Sequence, residues 1–343
     1  MPNREILHKD SVSIRSLPAN FNRADLGLFE HELKRAIPAT ILFHLEDVIV
    51  NSNGTLFRKG KILPESFASP HHANVSQSPK DRLKLFISDR LFKNIDRIDS
   101  DAIWITDNWS IGYFHWMTDA LPRLFTIREK IGDAALLLPG AYQKEKYITS
   151  SLKPLFARQV KFINNTTRCK TLLMPSHTAS TGNYNESVIK GLRSIYINFY
   201  QNIQDDYVGE KVYISRSKAR WSKIVNEEEV FAILKEFGFK TIYFEDYPFE
   251  KQVKIASEAK YMISNHGASL TNMLFLKSGG SVLELRRKGD AHNNCYFALA
   301  SALNLKYFYQ ICDTENLNEQ ANTADLIVDC QSLRKNIEQM LAA

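Results

Sequence analysis

The sequence predicts an α/β fold, with two facing Rossmann-like domains behind a small β-rich N-terminal region. Three observations predict it. From about residue 100, short apolar runs of strand composition alternate with amphipathic helical runs, the pattern of βα units on a mostly parallel sheet. The same alternation starts again after residue 205, beyond a long helical run at 185–203. Residues 39–66 instead are rich in β-branched side chains and carry the hairpin-type turn "NSNGTLF". The expected division is an N-terminal extension over 1–99 packing on the first domain, a first domain over 100–204 and a second over 205–343.

The elements follow in order. Residues 1–35 are polar with scattered apolar positions and are expected to wrap a domain surface. After the β-rich stretch comes "SPHHANVSQSPKDR" (69–82), a loop whose His71 and His72 are adjacent and so point apart on a strand; solvent-facing histidines are the simpler reading. "AIWITD" (102–107) is a strand and "YFHWMTDALPRLFTIREK" (113–130) a helix with Pro122 as a possible kink. "AALLLPG", "QVKFI" and "CKTLLMPS" are strands, with a helix at "EKYITSSLKPLF". The 185–203 helix is expected to bridge the two domains. In the second half, "KVYISR" (211–216), "TIYFED", "YMISNHG", "SVLELRR" and "KYFYQIC" are strands. Helices lie between them, one capped by Asn226 and stopped at Gly238. "SLTNMLFLK" is a short helix, and "ADLIVDCQSLRKNIEQMLAA" ends the chain as a strand edge and a helix.

Composition narrows the function classes. The chain has 343 residues, is 44% hydrophobic and 24% charged, and carries a net charge of +6. That balance suits anionic ligands or contact with an anionic membrane surface. No dense Lys/Arg run with interleaved aromatics points to nucleic acid. Cys169, Cys295, Cys312 and Cys330 form no CxxC pair, so reduced thiols of a cytoplasmic protein are expected. The polar N-terminus lacks the apolar core of a signal peptide, and no run is long enough to span a membrane. Walker A and GxGxxG patterns are absent, which leaves NAD and FAD without support.

Three stretches carry chemistry. In "DNWSIGYFHWMTDALPR" (107–123), His115 and Asp119 are four apart and share a helix face. An imidazole oriented by a carboxylate is a general base near neutral pH, although an isolated HxxxD is also an ordinary surface pair. The stretch follows a strand-to-helix turn, where α/β ligand sites lie. Trp109, Phe114 and Trp116 offer a stacking surface, with the core an equal alternative for Trp116. In "VYISRSKARWSKIVNEEE" (212–229), Arg216, Arg220 and Lys223 follow a strand end, placed for a phosphate or diphosphate if they are not a solvated loop. Glu227, Glu228 and Glu229 suit the helix dipole. The third stretch, "SNHGASLTNMLFLKSGGSVLEL" (264–285), places His266 and Gly267 at a strand-to-helix turn. Ser269, Thr271 and Asn272 follow as caps or phosphate ligands, and Gly267 permits close approach of a ligand. Glu284, read at the end of the next strand, is an acceptor for both ribose hydroxyls, or a partner of Arg286, Arg287 or a neighbour.

Together, "NWSIGYFHWMTDALPRL", "VYISR…R…VNEEEV" and "ISNHGASLTNMLFLKSGGSVLEL" resemble glycosyltransferase family 61 in order and spacing, over roughly residues 100–290. The upstream "GTLFRKGKILPES" also resembles the segment that precedes the domain in bacterial members, often described as capsular polysaccharide biosynthesis proteins. The resemblance implies a GT-B-like fold, inversion at the anomeric carbon and a nucleotide-sugar donor, a UDP-sugar first among them. It implies an acceptor-side base at His115 or Asp119, with Asn108, Trp109 and Trp116 on the acceptor side. Donor contacts would fall on Arg216, Arg220, His266, Gly267, Ser269, Thr271, Asn272 and Glu284. No cofactor and no metal are expected, since Asp205-Asp206 lacks the strand-end context of a DxD motif. The expected acceptor is a glycan or lipid-linked glycan of a surface polysaccharide, met at the inner face of the membrane. The rivals are a hydrolase using His115–Asp119 to activate water, for which no GxSxG elbow stands, and a non-catalytic nucleotide-sugar or glycan-binding protein.

Overall fold

The structure, a computed structural model, describes residues 3–68, 95–204, 208–314 and 324–343. The 69–82 loop with His71 and His72, and Asp205-Asp206, lie outside the described residues. The chain divides into two compact α/β units, Met1–Ser11 with Ile37–Thr181, and Val12–Ala36 with Gly182–Ala343. The boundary therefore falls at 181/182 rather than at 204/205, and residues 12–36 group with the second unit instead of the first.

Strands are numbered along the chain. β1 (Asn3–His8) lies on the first unit's sheet, while β2 (Ser11–Ile14) and β3 (Lys34–Ile37) form a separate two-stranded sheet. β4 (Thr40–Val50), β5 (Leu56–Arg58) and β6 (Lys61–Ile62) follow as a meander, β5 antiparallel to both neighbours. The "NSNGTLF" turn joins β4 to β5, with Gly54 at φ +90° and its N–H bonded to the Asn51 carbonyl. β7 (Asp96–Ile103), β8 (Ala135–Pro139), β9 (Val160–Ile163) and β10 (Thr167–Pro175) complete the sheet in the order β6-β5-β4-β10-β7-β8-β9. β10, β7, β8 and β9 are mutually parallel, and β4 closes antiparallel on β10. β8 is apolar and buried at every position, as a strand covered on both faces must be. After β7 the chain lays β8 and β9 to one side and then returns β10 to the other. The crevice at the carboxyl ends of β7 and β10 is thus a topological switch point.

The second unit repeats this logic with an all-parallel sheet. β11 (Lys211–Ile214), β12 (Lys240–Ile242), β13 (Tyr261–Asn265), β14 (Ser281–Arg287) and β15 (Lys306–Cys312) stand in the order β12-β11-β13-β14-β15. Every strand read from the second half's sequence is present except the last, which is reduced to isolated bridges at Leu326 and Ile327. The switch point lies between β11 and β13. One face of the sheet, with Tyr213, Ile263, Leu283, Leu285 and Phe308, is covered by Val230, Ile233 and Leu234 of helix Glu227–Glu236 and by Leu333, Ile337 and Met340 of helix Cys330–Ala342. Gly238 ends the first of these helices at φ +77°. Asn226 precedes that helix without capping it; its amide instead pairs with both the N–H (3.0 Å) and the carbonyl (2.9 Å) of Val328.

Two helices depart from expectation. Helix Glu186–Tyr200 does not serve as a bridge: Tyr196 packs on Phe249 and Phe275 at ring distances of 5.8 and 5.6 Å, inside the second unit. The helix around Pro122 contains a π-helical turn, Trp116–Ala120, between Tyr113–His115 and Leu121–Ile127. Pro122 has no N–H to offer the carbonyl one α-turn back, so the wider turn takes the place of a kink. Among the described residues no helix is long and apolar enough to cross a membrane, and all four cysteines are free.

Candidate active site

The first group of side chains gathers at the β7/β10 switch point. The chain leaves β7 through buried Thr106 and Asp107, and Asp107 builds the turn itself. Its Oδ1 accepts from the N–H groups of Trp109 (2.8 Å) and Ser110 (3.1 Å), while Ser110 Oγ accepts from the Asp107 N–H (2.9 Å). This fixes where the next helix starts. On that helix His115 Nδ1 meets Asp119 Oδ2 at 2.8 Å, and Thr181 Oγ1 donates to the same oxygen at 3.1 Å. The Asp119 side chain is 4% exposed and that of His115 24%. The rings of Trp109 and Phe114 each stand 5.0 Å from the imidazole.

A second pair lies on the same edge. His177, two residues beyond β10, places Nε2 2.7 Å from Asp107 Oδ2. Burial raises the Asp107 carboxyl, but the hydrogen bond and charge of His177, the charge of Arg123 and the Trp109 N–H outweigh it and hold the group at about 2. Arg123 is fully buried, and its Nε donates to the Pro175 carbonyl at 2.8 Å. Burial lowers this guanidinium to about 10 against the pull of Asp107, Asp119 and Glu65. Arg123 is thus a buried counter-charge to both carboxylates.

The second group stands at the β11/β13 switch point. Arg216 follows β11, and Gly267 follows β13. A Cβ on Gly267 would lie 2.5 Å from Arg216 Nη1 and 2.6 Å from its Cζ, so glycine is required for the guanidinium to lie on this backbone. Burial lowers Arg216, while Tyr296 and Glu245 raise it. Tyr296 donates from its hydroxyl to the Gly267 carbonyl at 2.6 Å and packs its ring on His266 at 5.0 Å. His266 Nδ1 meets Glu284 Oε1 at 2.5 Å, and the Tyr307 hydroxyl donates to Glu284 Oε2 at 2.5 Å. Burial raises the fully buried Glu284 carboxyl, but His266, Arg286 and Tyr307 together hold it below the usual range. Ser215 Oγ and the Tyr213 hydroxyl both donate to Glu227 Oε1, at 2.7 and 2.8 Å, so this acid fastens the end of β11 as well as starting its helix.

Several sequence assignments change. Glu284 sits within β14, not at its end, with both oxygens engaged, so it orients His266 and is not presented to ribose hydroxyls. Trp116 is core: its ring is buried against Tyr142, and its N–H donates to Ser151 Oγ at 2.7 Å. Asn108 uses its side-chain oxygen to hold the Ala68 N–H at 3.0 Å. Arg220 is exposed and lies over the half-exposed Trp221 ring, 4.9 Å away. Thr271 and Asn272 are buried in the 3-10 helix Ala268–Phe275, and Asn272 bonds back to the Ser269 carbonyl at 3.1 Å. Ser269 is half-buried at the start of that helix. Among the described residues no group of three or more His, Cys, Asp or Glu side chains is placed to hold a metal ion.

The family model described as Glycosyltransferase 61 matches residues 113–283, about half of the chain. The chain belongs to glycosyltransferase family 61. The family 61 segment contains His115, Asp119, Arg216, His266 and Gly267, with Asp107 and Trp109 just before it and Glu284 just after. Among similar proteins, the EGF domain-specific O-linked N-acetylglucosamine transferase of Drosophila melanogaster is 32% identical over 98 residues, covering 28% of this chain and 18% of its own. Protein O-linked-mannose beta-1,4-N-acetylglucosaminyltransferase 2 is 41% identical over 92 residues in Xenopus laevis, 26% of this chain and 15% of that one. The Homo sapiens protein of the same name is 37% identical over 81 residues, 23% and 14% of the two chains. The chain thus spans less than a fifth of the length of these relatives. Sequence reading missed His177, Arg123, Tyr296 and Tyr307. Asp107 and His177 are separated by 70 positions, and only the adjacency of β7 and β10 joins them.

Proposed function

We propose that the chain is an inverting glycosyltransferase of the two-domain GT-B type. It moves a sugar from a nucleotide diphosphate to a hydroxyl of a glycan or lipid-linked glycan, without a metal. The observation that carries this reading is the Arg216 guanidinium laid on Gly267 at the β11/β13 switch point, beside the His266–Glu284 pair. A cation at that crevice meets the charge that builds on the departing diphosphate. His266, with Nδ1 donating to Glu284, donates from Nε2 to a phosphate oxygen as the imidazolium.

On the acceptor side, the exposure difference favours His115 over Asp119 as the base. Asp119 is nearly enclosed and its Oδ2 already accepts two hydrogen bonds, whereas His115 Nε2 has no partner among the described residues. His115 takes the acceptor hydroxyl proton as that oxygen bonds to the anomeric carbon. The bond from that carbon to the diphosphate oxygen breaks on the opposite face, and the configuration inverts. The relatives' names make N-acetylglucosamine the first sugar to try, on UDP, and a surface-polysaccharide glycan stands beside an O-linked mannose among the acceptors to test.

The test is a thermal-shift screen against nucleotides and nucleotide sugars, with manganese or with chelator. A UDP species should raise the melting temperature equally in both conditions, and Arg216→Ala should remove the shift. A shift that needs metal overturns the metal-free part. No shift with any nucleotide overturns the donor site.

A further inference from the structure

The first unit presents two oriented imidazoles at one switch point, and the proposed reaction uses only His115. His177 has the features of a ligand contact. Its Nε2 is held by Asp107 at 2.7 Å, and the Asp107 side chain is 1% exposed. The His177 side chain is 21% exposed, close to the 24% of His115. Its Nδ1 has no partner among the described residues. A histidine kept only to satisfy a buried aspartate would have no reason to hold its other nitrogen at the surface.

The tautomer follows from the surroundings. Asp107 is ionised at neutral pH and can only accept, so His177 carries its proton on Nε2. A neutral imidazole in that state exposes a bare lone pair on Nδ1, an acceptor for a hydroxyl proton. The adjacent pair is arranged in the mirror sense: His115 gives Nδ1 to Asp119 and keeps Nε2. Trp109 ties the two together, its N–H on Asp107 and its ring 5.0 Å from His115. Arg123 is buried below them, its Nη1 and Nη2 without hydrogen-bond partners among the described residues, and serves both carboxylates as a counter-charge.

We propose that His177 is an acceptor-binding residue, its Nδ1 accepting a hydrogen bond from a second hydroxyl of the same polyhydroxylated acceptor whose reacting hydroxyl is deprotonated by His115. The inference rests on the transferase reading, and it goes beyond it by assigning a two-point site. One point receives the reacting hydroxyl and the other fixes which hydroxyl that is. A sugar with two free hydroxyls fits; an alcohol with one does not gain from the second point.

The experiment is NMR of the whole chain with isotope-labelled histidine rings. It is titrated with methyl α-mannoside, methyl β-glucoside and methyl β-galactoside, and separately with UDP. At least one glycoside should shift the His115 and His177 rings together, saturably. His177→Gln should weaken that glycoside about three- to tenfold, the worth of one hydrogen bond. The wild-type shift of the His177 ring needs no variant to fold. If a glycoside moves His115 and not His177, or if His177→Gln leaves its affinity unchanged, the inference falls and the transferase reading stands. If glycosides move neither ring while UDP moves His266, the inference falls with the acceptor half alone. If UDP moves nothing either, both fall.

Discussion

At the scale of single residues, the seat of Arg216 on Gly267 makes the most direct prediction. Gly267→Ala would drive a methyl into Arg216 and would also hold a side chain at φ +156°, a region that only glycine adopts easily. The guanidinium can swing aside, so the protein should still fold, with a stability loss of about 1–3 kcal/mol from the backbone strain. Nucleotide affinity should fall at least tenfold in calorimetry, since the cation then leaves the β11/β13 crevice. Unchanged affinity would show that Arg216 does not need that seat. Asp107 makes a pH prediction. Its carboxyl sits at about 2 in the folded state against an ordinary 3.8, so its contribution is full above the ordinary value and is lost as pH falls through the folded one. Stability should decline by about 2 kcal/mol between pH 4 and pH 2 on this account. Asp107→Asn should flatten that limb in acid denaturation, while lowering stability at pH 7. Both arguments turn on groups whose partners are remote in sequence. Arg216 and Gly267 were each legible as ligand-type residues at strand ends, but not their mutual contact. His115–Asp119 was fully legible, because an i,i+4 pair carries its own geometry. His177–Asp107 was not, because nothing local announces a pairing made by two neighbouring strands.

At the scale of elements, the strands were the most legible part and the helices next to prolines and glycines the least. Runs such as "ALLLP" and "KVYI" leave little choice, since they bury on both sides. The stretch Ala268–Phe275 reads as helix by composition, yet closes as 3-10 turns, and all of Leu270 to Phe275 point into the unit. Helix Glu186–Tyr200 shows how length alone misleads. The 185–203 run between two α/β halves reads as a bridge, but tyrosines at 196 and 200 form an aromatic cluster with Phe249 and Phe275. Arg193 also donates to the Leu276 carbonyl and to Ser278 Oγ, just past the 3-10 helix. The helix is therefore a wall of the second unit. Asn185 caps it, its Oδ1 accepting from the Val188 N–H at 3.3 Å. Asn185→Ala should lower stability by about 1 kcal/mol and leave nucleotide affinity unchanged. A changed affinity with unchanged stability would restore the bridging role.

At the scale of the whole molecule, each unit places its chemistry at its own switch point. The first sheet turns back between β7 and β10, the second between β11 and β13, and the candidate residues follow the carboxyl ends of those strands. Strand identity was legible from composition, but strand order was not, and the order is what makes Asp107 meet His177 and Arg216 meet Gly267. The division of the chain was hidden for a related reason. Residues 12–36 look like a polar N-terminal wrapping, yet they carry Phe29, which is fully buried in the second unit. Its ring meets Phe297, Tyr307 and Tyr309 at 5.1, 6.4 and 4.9 Å, and Arg286 lies over its face at 5.4 Å. Tyr307 is also the donor to Glu284, so this N-terminal segment backs the network that orients His266. Phe29→Ala should therefore cost about 3–5 kcal/mol and weaken nucleotide binding through His266, although Phe29 is remote from Gly267 in sequence. A denaturation curve gives the first effect and a binding isotherm on the surviving folded protein the second. Loss of stability with full retention of affinity would separate the Phe29 packing from the orientation of His266. It would leave Glu284 and Tyr307 as sufficient on their own.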